Sequence, residues 1–228
     1  MNPWLLSAGI LLVSYLIGSI PFGLLVVKWS TGRDVRHVES GRTGGTNAMR
    51  AAGFWAGLLT ALLDISKSAL TVRLAIAAAP HAYWLHMLAP VAAIIGHNHS
   101  IYLPERTEEG KWRLRGGAGG TPAVGGAVGL WWPSIFILVP VGALLLFGVG
   151  YASVATMSIG VMSVIIFAVR AAYYNAPWAY VWYGILAEIL ILWALRPNIK
   201  RLMNGTERLV GWRAKRRRQK QETQEHPE

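Results

Sequence analysis

The stretch WLLSAGILLVSYLIGSIPFGLLVV, residues 4–27, decides the fold class of this protein because it runs without one charged residue. A helix of about 20 predominantly apolar residues crosses the hydrocarbon core of a bilayer. The first charged side chain is Lys28, after the run, whereas a secretory signal peptide carries basic residues ahead of a shorter apolar core. The stretch therefore predicts a transmembrane helix that is retained in the protein.

The composition extends this prediction to the whole chain. Of its 228 residues, 54% are hydrophobic and 14% are charged, whereas soluble domains average about 45–50% and about 25%. Lysine and arginine number 22 against 11 acidic residues, a formal net charge of +11 with neutral histidines. This hydrophobic content excludes intrinsic disorder. It also argues against a soluble nucleic-acid-binding protein. Cysteine is absent, which excludes disulfides, thiolate metal sites and cysteine nucleophiles.

Three further apolar regions cover roughly residues 53–79, 83–103 and 123–195, and the basic residues cluster between these regions and in the tail. Excess lysine and arginine mark cytoplasmic segments. Placing all three basic clusters on one side requires an even number of spans between them, and four spans fit the interruptions within the last region. We predict an all-α integral membrane protein with seven transmembrane helices, the N-terminus outside and the C-terminus cytoplasmic. Residues 1–212 form the predicted membrane domain and residues 213–228 a basic, mobile cytoplasmic tail.

The first cytoplasmic segment, residues 31–50, combines glycines, hydroxyls, an amide and arginines. Glycines let backbone N–H groups approach an anion, and arginine offers a planar fork suited to phosphate or carboxylate. A helix that begins at Thr46 or Asn47 would direct the positive end of its dipole at the same place. The alternative is a flexible loop whose side chains cap helices and whose arginines touch lipid headgroups. The residues by themselves leave both interpretations open.

The second cytoplasmic segment ends in RLRGGAGGTP, residues 113–122, a glycine-rich turn flanked by arginines. Such a turn suits phosphate, but it lacks the Gly-Lys-Ser/Thr ending of a nucleotide P-loop. Glycines also allow close packing of membrane helices, and Gly125 and Gly129 form a GxxxG pair. Phosphate binding and helix packing are equally supported for this segment.

The third segment, residues 196–207, has the composition of a basic interfacial helix held by anionic lipid. That interpretation leaves Asn198 and Glu207 without a role, since neither side chain attracts an anionic headgroup.

Four polar residues stand out inside or at the ends of predicted spans. Asp64 and Lys67 share one helix face, and both a structural ion pair and a role in a site remain open. Glu188 has no partner visible from sequence. His97 is followed two residues later by a second histidine, but no acidic cluster accompanies them, so no metal site is predicted.

Taken together, these segments resemble the bacterial PlsY-type glycerol-3-phosphate acyltransferases from about Tyr15 to Glu207, in order and in spacing. The stretches that carry the resemblance are GSIPFG at 18–23, the residues at 34–50 that match DxR…SGNxGATNxxR, GH at 96–97, GG at 116–117, and the residues at 198–207 that match NIxRLxxGTE.

The resemblance implies a seven-helix enzyme of the cytoplasmic membrane that moves a fatty acyl group from acyl phosphate to the 1-hydroxyl of glycerol 3-phosphate. The product would be lysophosphatidic acid, with no cofactor and no metal. The implied partners are glycerol 3-phosphate, acyl phosphate and a bilayer containing anionic lipid, with no nucleic acid. Its implied catalytic residues are Ser40, Arg50 and Asn198. Its implied substrate-binding residues are Gly41, Thr46, Asn47, Lys67, His97, Gly116, Gly117 and Glu207.

The chain departs from the family pattern at positions that matter for phosphate binding. Ala118 stands where the family has the lysine of GGKG, Arg42 where it has the asparagine of SGN, and Leu195 where a histidine is common. Arg42 or Arg115 could supply the missing cation. The alternative function is therefore a non-catalytic relative that binds a lipid or a phosphometabolite. A transporter is a third hypothesis, which the absence of an internal repeat disfavours.

Overall fold

The computed structural model describes residues 2–214, 216 and 219, and helices form most of that part of the chain. A hairpin of two antiparallel three-residue strands, β1 (Pro104–Arg106) and β2 (Trp112–Leu114), is the one departure there from the predicted all-α fold. The helices are α1 (Pro3–Ser19), α2 (Phe22–Thr31), α3 (Gly45–Ala52), α4 (Phe54–Ala78), α5 (Tyr83–Asn98), α6 (Gly120–Leu130), α7 (Ile135–Leu144, extended by a π-helical turn Leu145–Val149), α8 (Ala152–Tyr174) and α9 (Ala179–Met203).

The apolar run at residues 4–27 lies within one candidate membrane span, but a break divides it into α1 and α2. Pro21 has no backbone N–H and its ring clashes with the preceding turn, so α1 ends before it and α2 begins after it. The break leaves the carbonyl oxygen of Ile20 free to accept a hydrogen bond from Lys67 Nζ at 2.8 Å. The broken helix therefore contributes a polar group to the interior of the bundle.

Four stretches of the described chain are long and apolar enough to cross a membrane: Pro3–Thr31 taken through the break, Trp132–Val149, Ala152–Tyr174 and Ala179–Met203. The remaining helices are shorter or carry charge. α4 has 25 residues but includes Asp64, Lys67 and Arg73, and α5 has 16. α6 has 11 residues, so it is about 16 Å long and reaches about halfway across the hydrocarbon core.

Glycines bring α6 directly against α4. A Cβ added at Gly125 would overlap the carbonyl oxygen of Ile65, and one at Gly129 would lie 2.7 Å from Val72 Cβ. The GxxxG pair therefore serves helix packing, because only hydrogen side chains permit this approach. The contact fixes the start of α6 beside the middle of α4.

Substituting Gly125 with alanine is expected to destabilise the protein by about 1–3 kcal/mol, since the new methyl group would force the two helices apart. Gly9→Ala in α1 is the matched control, because nothing lies within 4 Å of a Cβ at that position. Thermal unfolding of both variants in the same detergent measures the difference. Equal melting temperatures for the two variants would contradict this account of α6.

The three predicted cytoplasmic segments meet at one end of the bundle. Thr43 N donates to Gly116 O at 3.3 Å, and Val210 N donates to Gly150 O at 2.8 Å. The first hydrogen bond joins the first and second segments, and the other fixes the C-terminal segment to the start of α8. Arg213, the first residue of the predicted tail, donates to a backbone carbonyl at 3.3 Å. Most of residues 214–228 lies outside the described part of the chain.

Candidate active site

A pocket of about 100 Å³, here called the anion pocket, draws its wall from all three segments. The first residues of α3, α6 and α8 lie in that wall, and none of these three helices has a side-chain cap at its N-terminus. The first N–H groups of a helix lack partners within the helix and carry the positive end of its dipole. The described residues lining the pocket are Ser40, Arg42, Gly44, Gly45, Thr46, Asn47, Arg50, His97, Ala118, Gly119, Gly120, Thr121, Ala152, Ser153, Thr156, Leu195, Asn198, Glu207 and Arg208.

Side-chain charge in the anion pocket is predominantly positive. Arg42, Arg50 and Arg208 line it, and Glu207 is the one carboxylate in its described wall. Among the described residues, the guanidinium of Arg50 has no side-chain hydrogen bond or ion pair. Burial lowers the pKa of Arg50, but an arginine stays charged at neutral pH. With no side-chain partner among the described residues, the Arg50 fork and the three helix N-termini that line the same pocket offer donors suited to an oxyanion.

Of the two arginines that could replace the missing lysine, Arg42 is the one that lines the pocket. One of its N–H groups donates to Ala194 O at 2.5 Å, and the rest of the guanidinium remains for a ligand. Burial, followed by the nearby charge of Arg201, lowers the pKa of Arg42 to about 10. Arg115 does not line the pocket, and its guanidinium pairs with Glu105 at 2.7 Å. Arg42 therefore supplies charge where Ala118 cannot.

Glu207 organises the third segment. Its carboxylate accepts hydrogen bonds from Asn198 Nδ2 at 2.8 Å and from Arg201 Nε at 3.0 Å, and Ser153 Oγ lies 3.5 Å away. The side chain of Glu207 is buried. Asn198 and Glu207 were both predicted site residues, and the structure brings both to the pocket wall. Glu207 acts there as a fixed acceptor that orients its neighbours.

Asn47 holds the first segment in shape. Its Nδ2 donates to three backbone carbonyls, those of Val35, Val38 and Arg42, at 3.0, 3.0 and 2.9 Å. These bonds use both of its amide protons, so its remaining polar atom is the acceptor Oδ1, which cannot donate to a phosphate. Ser40 sits at the other end of this loop, where its Oγ accepts from the backbone N–H of Arg42 at 3.4 Å.

Three of the predicted substrate-binding glycines lie beside the anion pocket and not in its wall. Gly41, Gly116 and Gly117 line an adjacent groove. A Cβ at Gly116 or at Gly117 would overlap the backbone or the ring of His97, and Gly117 N donates to His97 O at 2.8 Å. These two glycines hold the second segment against the end of α5. They shape the site, and their contacts explain why the chain needs glycine there.

Lys67 and His97 lie at different distances from the anion pocket. His97 lines the anion pocket, whereas Lys67 is absent from its wall and lies behind the imidazole, 3.1 Å from Nδ1. Lys67 also pairs with Asp64 at 2.7 Å, so the two charges predicted to share a helix face form a buried ion pair.

Two larger spaces adjoin the anion pocket on different sides. The first, the apolar cavity, measures about 360 Å³ and is lined mainly by α3, α4, α6, α7 and α8. The second, the basic groove, measures about 1000 Å³ and has no acidic residue in its described wall. The residues common to the anion pocket and the apolar cavity are Gly45, Thr46, Gly120, Thr121, Ala152 and Thr156. Those common to the anion pocket and the basic groove are Ser40, Arg42, Asn198 and Arg208.

The start of α8 and Arg208 were not predicted as parts of the site. The interruption at residues 148–150 indicated where a helix ends, but no local signal places the next helix start near residues 40–50. Arg208 counted only as one charge of a basic tail. The hydrogen bond from Val210 N to Gly150 O brings Arg208 and the α8 N-terminus together.

These features define a membrane protein with a positively charged pocket next to an apolar cavity. The profile of the family described as "Glycerol-3-phosphate acyltransferase" matches residues 8–205, and the chain belongs to this family. The glycerol-3-phosphate acyltransferase of Halalkalibacterium halodurans is 32% identical over 217 residues, 91% of this chain and 95% of that protein. The one from Myxococcus xanthus is 35% identical over 207 residues, 89% of this chain and 99% of that protein.

Solved structures agree with this assignment. A crystal structure of PlsY (YgiH), an integral membrane glycerol 3-phosphate acyltransferase, in its glycerol 3-phosphate form, superposes with a TM-score of 0.76 at 26% identity. The alignment covers 90% of this chain and 96% of that one. The lysophosphatidic acid form superposes with a TM-score of 0.72 at 25% identity, covering 90% and 95%. The predicted family resemblance and the predicted integral membrane fold are confirmed.

Proposed function

We propose that this protein transfers a fatty acyl group from acyl phosphate to the 1-hydroxyl of glycerol 3-phosphate and so forms lysophosphatidic acid. The observation that carries the proposal is the wall shared by the anion pocket and the apolar cavity. A single amphiphile can place its phosphate among Arg42, Arg50 and the helix N-termini while its acyl chain lies along α7. The basic groove on the other side gives a water-soluble phosphate ester a route to the same point.

The proposed reaction needs positioning and charge stabilisation. The 1-hydroxyl oxygen bonds to the acyl carbonyl carbon, the bond from that carbon to the phosphate oxygen breaks, and inorganic phosphate leaves with the hydroxyl proton. Acyl phosphate is already activated, so oriented reactants and donors aimed at the developing negative charge are sufficient. Arg50 and Arg42 would stabilise the departing phosphate, and Ser40 and Asn198 would orient the second substrate where the pocket meets the basic groove.

The same arrangement supports the predicted topology. Because the three basic segments build one pocket, they belong to one side of the membrane, and excess positive charge favours the cytoplasmic side. We propose seven passes through the membrane, made by α1 with α2, α4, α5, α6, α7, α8 and α9. The short α6 does not cross by itself, and the residues that join it to α7 complete that pass. The N-terminus is then outside and the C-terminus is cytoplasmic. A reporter fused to the C-terminus should be active only in the cytoplasm, and an extracytoplasmic signal would refute this topology.

Exposed basic side chains at this end of the bundle suit the anionic headgroups of the surrounding bilayer. The described residues of this kind are Lys28, Arg33, Arg106, Lys111, Arg113, Arg196, Lys200, Arg213 and Arg216.

Phosphate release tests the reaction directly. Purified protein in lipid nanodiscs, given acyl phosphate and glycerol 3-phosphate together, should release inorganic phosphate and form lysophosphatidic acid in equal amounts. Either substrate alone should give only background hydrolysis. A folded protein that binds both substrates without releasing phosphate would support the non-catalytic alternative instead.

Replacing Ser40 with alanine is expected to lower kcat/KM by about 10–100-fold, since one hydroxyl is lost from the substrate-binding wall while the loop is held by Asn47. Ser30→Ala is the matched control, because that hydroxyl bonds within α2 to Val26 O at 2.8 Å and lies outside the pocket. Phosphate release by both variants in nanodiscs measures the effect. Wild-type kcat/KM in Ser40→Ala would remove Ser40 from the site.

A further inference from the structure

Behind the anion pocket lies a cluster of three buried polar side chains, Asp64, Lys67 and His97. Lys67 Nζ is 2.7 Å from Asp64 Oδ1, 2.8 Å from Ile20 O and 3.1 Å from His97 Nδ1. Each of the three side chains is at most 3% exposed. An ammonium group has three N–H donors and no acceptor. Lys67 therefore forms an ion pair with Asp64 and donates hydrogen bonds to Ile20 O and to the imidazole.

This geometry fixes the tautomer of His97. Two groups face Nδ1, Lys67 Nζ at 3.1 Å and Asp64 Oδ1 at 3.5 Å. Lys67 can only donate, so the shorter contact favours a lone pair on Nδ1 and places the proton of the neutral ring on Nε2. The ring is neutral because Asp64 and Lys67 already balance each other, and a second cation in this buried cluster would be unpaired. The cluster thus determines which edge of the imidazole is a donor.

The Nε2 edge faces away from Lys67. It lies against Gly117, where a Cβ would overlap Nε2, and His97 lines the anion pocket. The next residue along that loop is Ala118, which also lines the pocket and brings no donor of its own. The Nε2–H of His97 is therefore a side-chain donor next to Gly117, on the loop where the lysine is missing.

We propose that Lys67, held by Asp64, is a positioning residue that locks His97 into the Nε2–H tautomer, so that His97 donates a hydrogen bond to the substrate phosphate and does not act as a base. The inference rests on the proposed function for the identity of the ligand. A base at this position would need a lone pair on Nε2, which the donation from Lys67 to Nδ1 precludes. The hydroxyl proton therefore leaves with the phosphate.

Two substitutions of His97 separate a donor from a base. His97→Gln keeps an amide N–H at about the distance of Nε2 from the backbone, and it should lose less than about 10-fold in kcat/KM. His97→Phe keeps a ring without a donor, and it should lose about 10²–10³-fold, as removal of one donor to a developing anion does. A general base would be abolished equally by both. His81→Phe, at an exposed turn between α4 and α5, is the control and should leave kcat/KM unchanged.

Melting temperatures within a few degrees of wild type for both variants would show that loss of folding does not explain the result. Equal losses in His97→Gln and His97→Phe with intact folding, or wild-type activity in His97→Phe, would overturn the proposal.

A spectroscopic readout tests the tautomer without any turnover. The chain has six histidines, so ¹⁵N-histidine labelling followed by the difference spectrum of His97→Gln assigns the signal of His97. In wild-type protein its Nδ1 should have the shift of an unprotonated nitrogen, and in Asp64→Asn/Lys67→Met, which keeps the cluster neutral, both tautomers should be populated. A protonated Nδ1 in wild-type protein would overturn the inference. If wild-type protein released no phosphate, the proposed reaction would fail while this measurement would still decide the tautomer.

Discussion

Replacing Arg50 with alanine is expected to lower kcat/KM for phosphate release by about 10³-fold, the largest loss among the single substitutions considered. Removing one donor from a preorganised anion site typically costs about 10²–10³-fold, and Arg50 contributes both a full charge and a bidentate fork. Among the described residues its guanidinium has no side-chain partner, so its removal leaves no other group unpaired. The melting temperature should stay close to that of wild type.

Two variants make this prediction specific. Arg50→Lys keeps the charge but not the planar fork, and it should recover part of the activity lost in Arg50→Ala. Arg33→Ala removes an exposed arginine at the end of α2, outside the anion pocket, and should leave kcat/KM within about 2-fold of wild type. Equal activity in Arg50→Ala and Arg33→Ala would mean that Arg50 does not contact the reacting phosphate.

Replacing Glu207 with alanine is expected to damage both stability and activity. The substitution removes the acceptor of Asn198 and Arg201 from a pocket wall where arginine charge already predominates. Breaking a fully buried pair costs about 3–5 kcal/mol. Arg201 is about one-third exposed, so a loss of about 1–3 kcal/mol is expected here. Thermal unfolding and phosphate release on the same preparation measure the two effects.

The exposed pair Glu109–Lys111 supplies the control. Its atoms lie 2.9 Å apart, close to the 3.0 Å of the Arg201–Glu207 pair, but both side chains are more than 70% exposed. Solvent-exposed pairs contribute about 0–1 kcal/mol, so Glu109→Ala should leave stability and activity unchanged. Glu207→Gln should lose less stability than Glu207→Ala, because its amide oxygen can still accept from Asn198. Equal melting temperatures for Glu207→Ala and Glu109→Ala would show that the buried carboxylate does not organise the third segment.

The non-catalytic alternative depends on Ala118, where the family has a lysine. The structure shows another cation in the same pocket. Arg42, which the pattern alone marked as a departure, lies in the anion pocket with its charge retained. Relative to the family pattern, the pocket thus lacks a lysine at Ala118 and has an additional arginine at Arg42. Membership of an acyltransferase family along residues 8–205 agrees with a working site.

Much of the helical framework could be predicted because a bilayer imposes long apolar runs on any chain that crosses it. The run at residues 53–79 became α4, and the long apolar region from residue 123 to 195 divided into four helices, as its interruptions indicated. The break at Pro21 was missed because hydropathy is insensitive to a lost N–H, although the proline itself is a local signal. The β1–β2 hairpin was missed because its strands have three residues each and no alternating pattern.

The residues of the candidate site also fall into those that the sequence indicated and those whose role only the structure shows. Ser40, Arg50, Asn198 and Glu207 were implied by the family resemblance, and each lines the anion pocket. The glycines at 116 and 117 were also identified, but their role is contact with the end of α5, which depends on a neighbour far away in the chain.

By itself, the sequence determined that this chain is a helical membrane protein and predicted that three basic segments share one side. The family resemblance implied which residues of those segments bind phosphate. Those properties follow from hydropathy, charge placement and side-chain donors, all of which are local. Only the tertiary structure decided that three helix N-termini converge, that Arg42 and not Arg115 lines the anion pocket, and that Lys67 lies 3.1 Å from His97 behind it. These outcomes depend on distances of a few ångströms between groups far apart along the chain, and packing alone sets such distances.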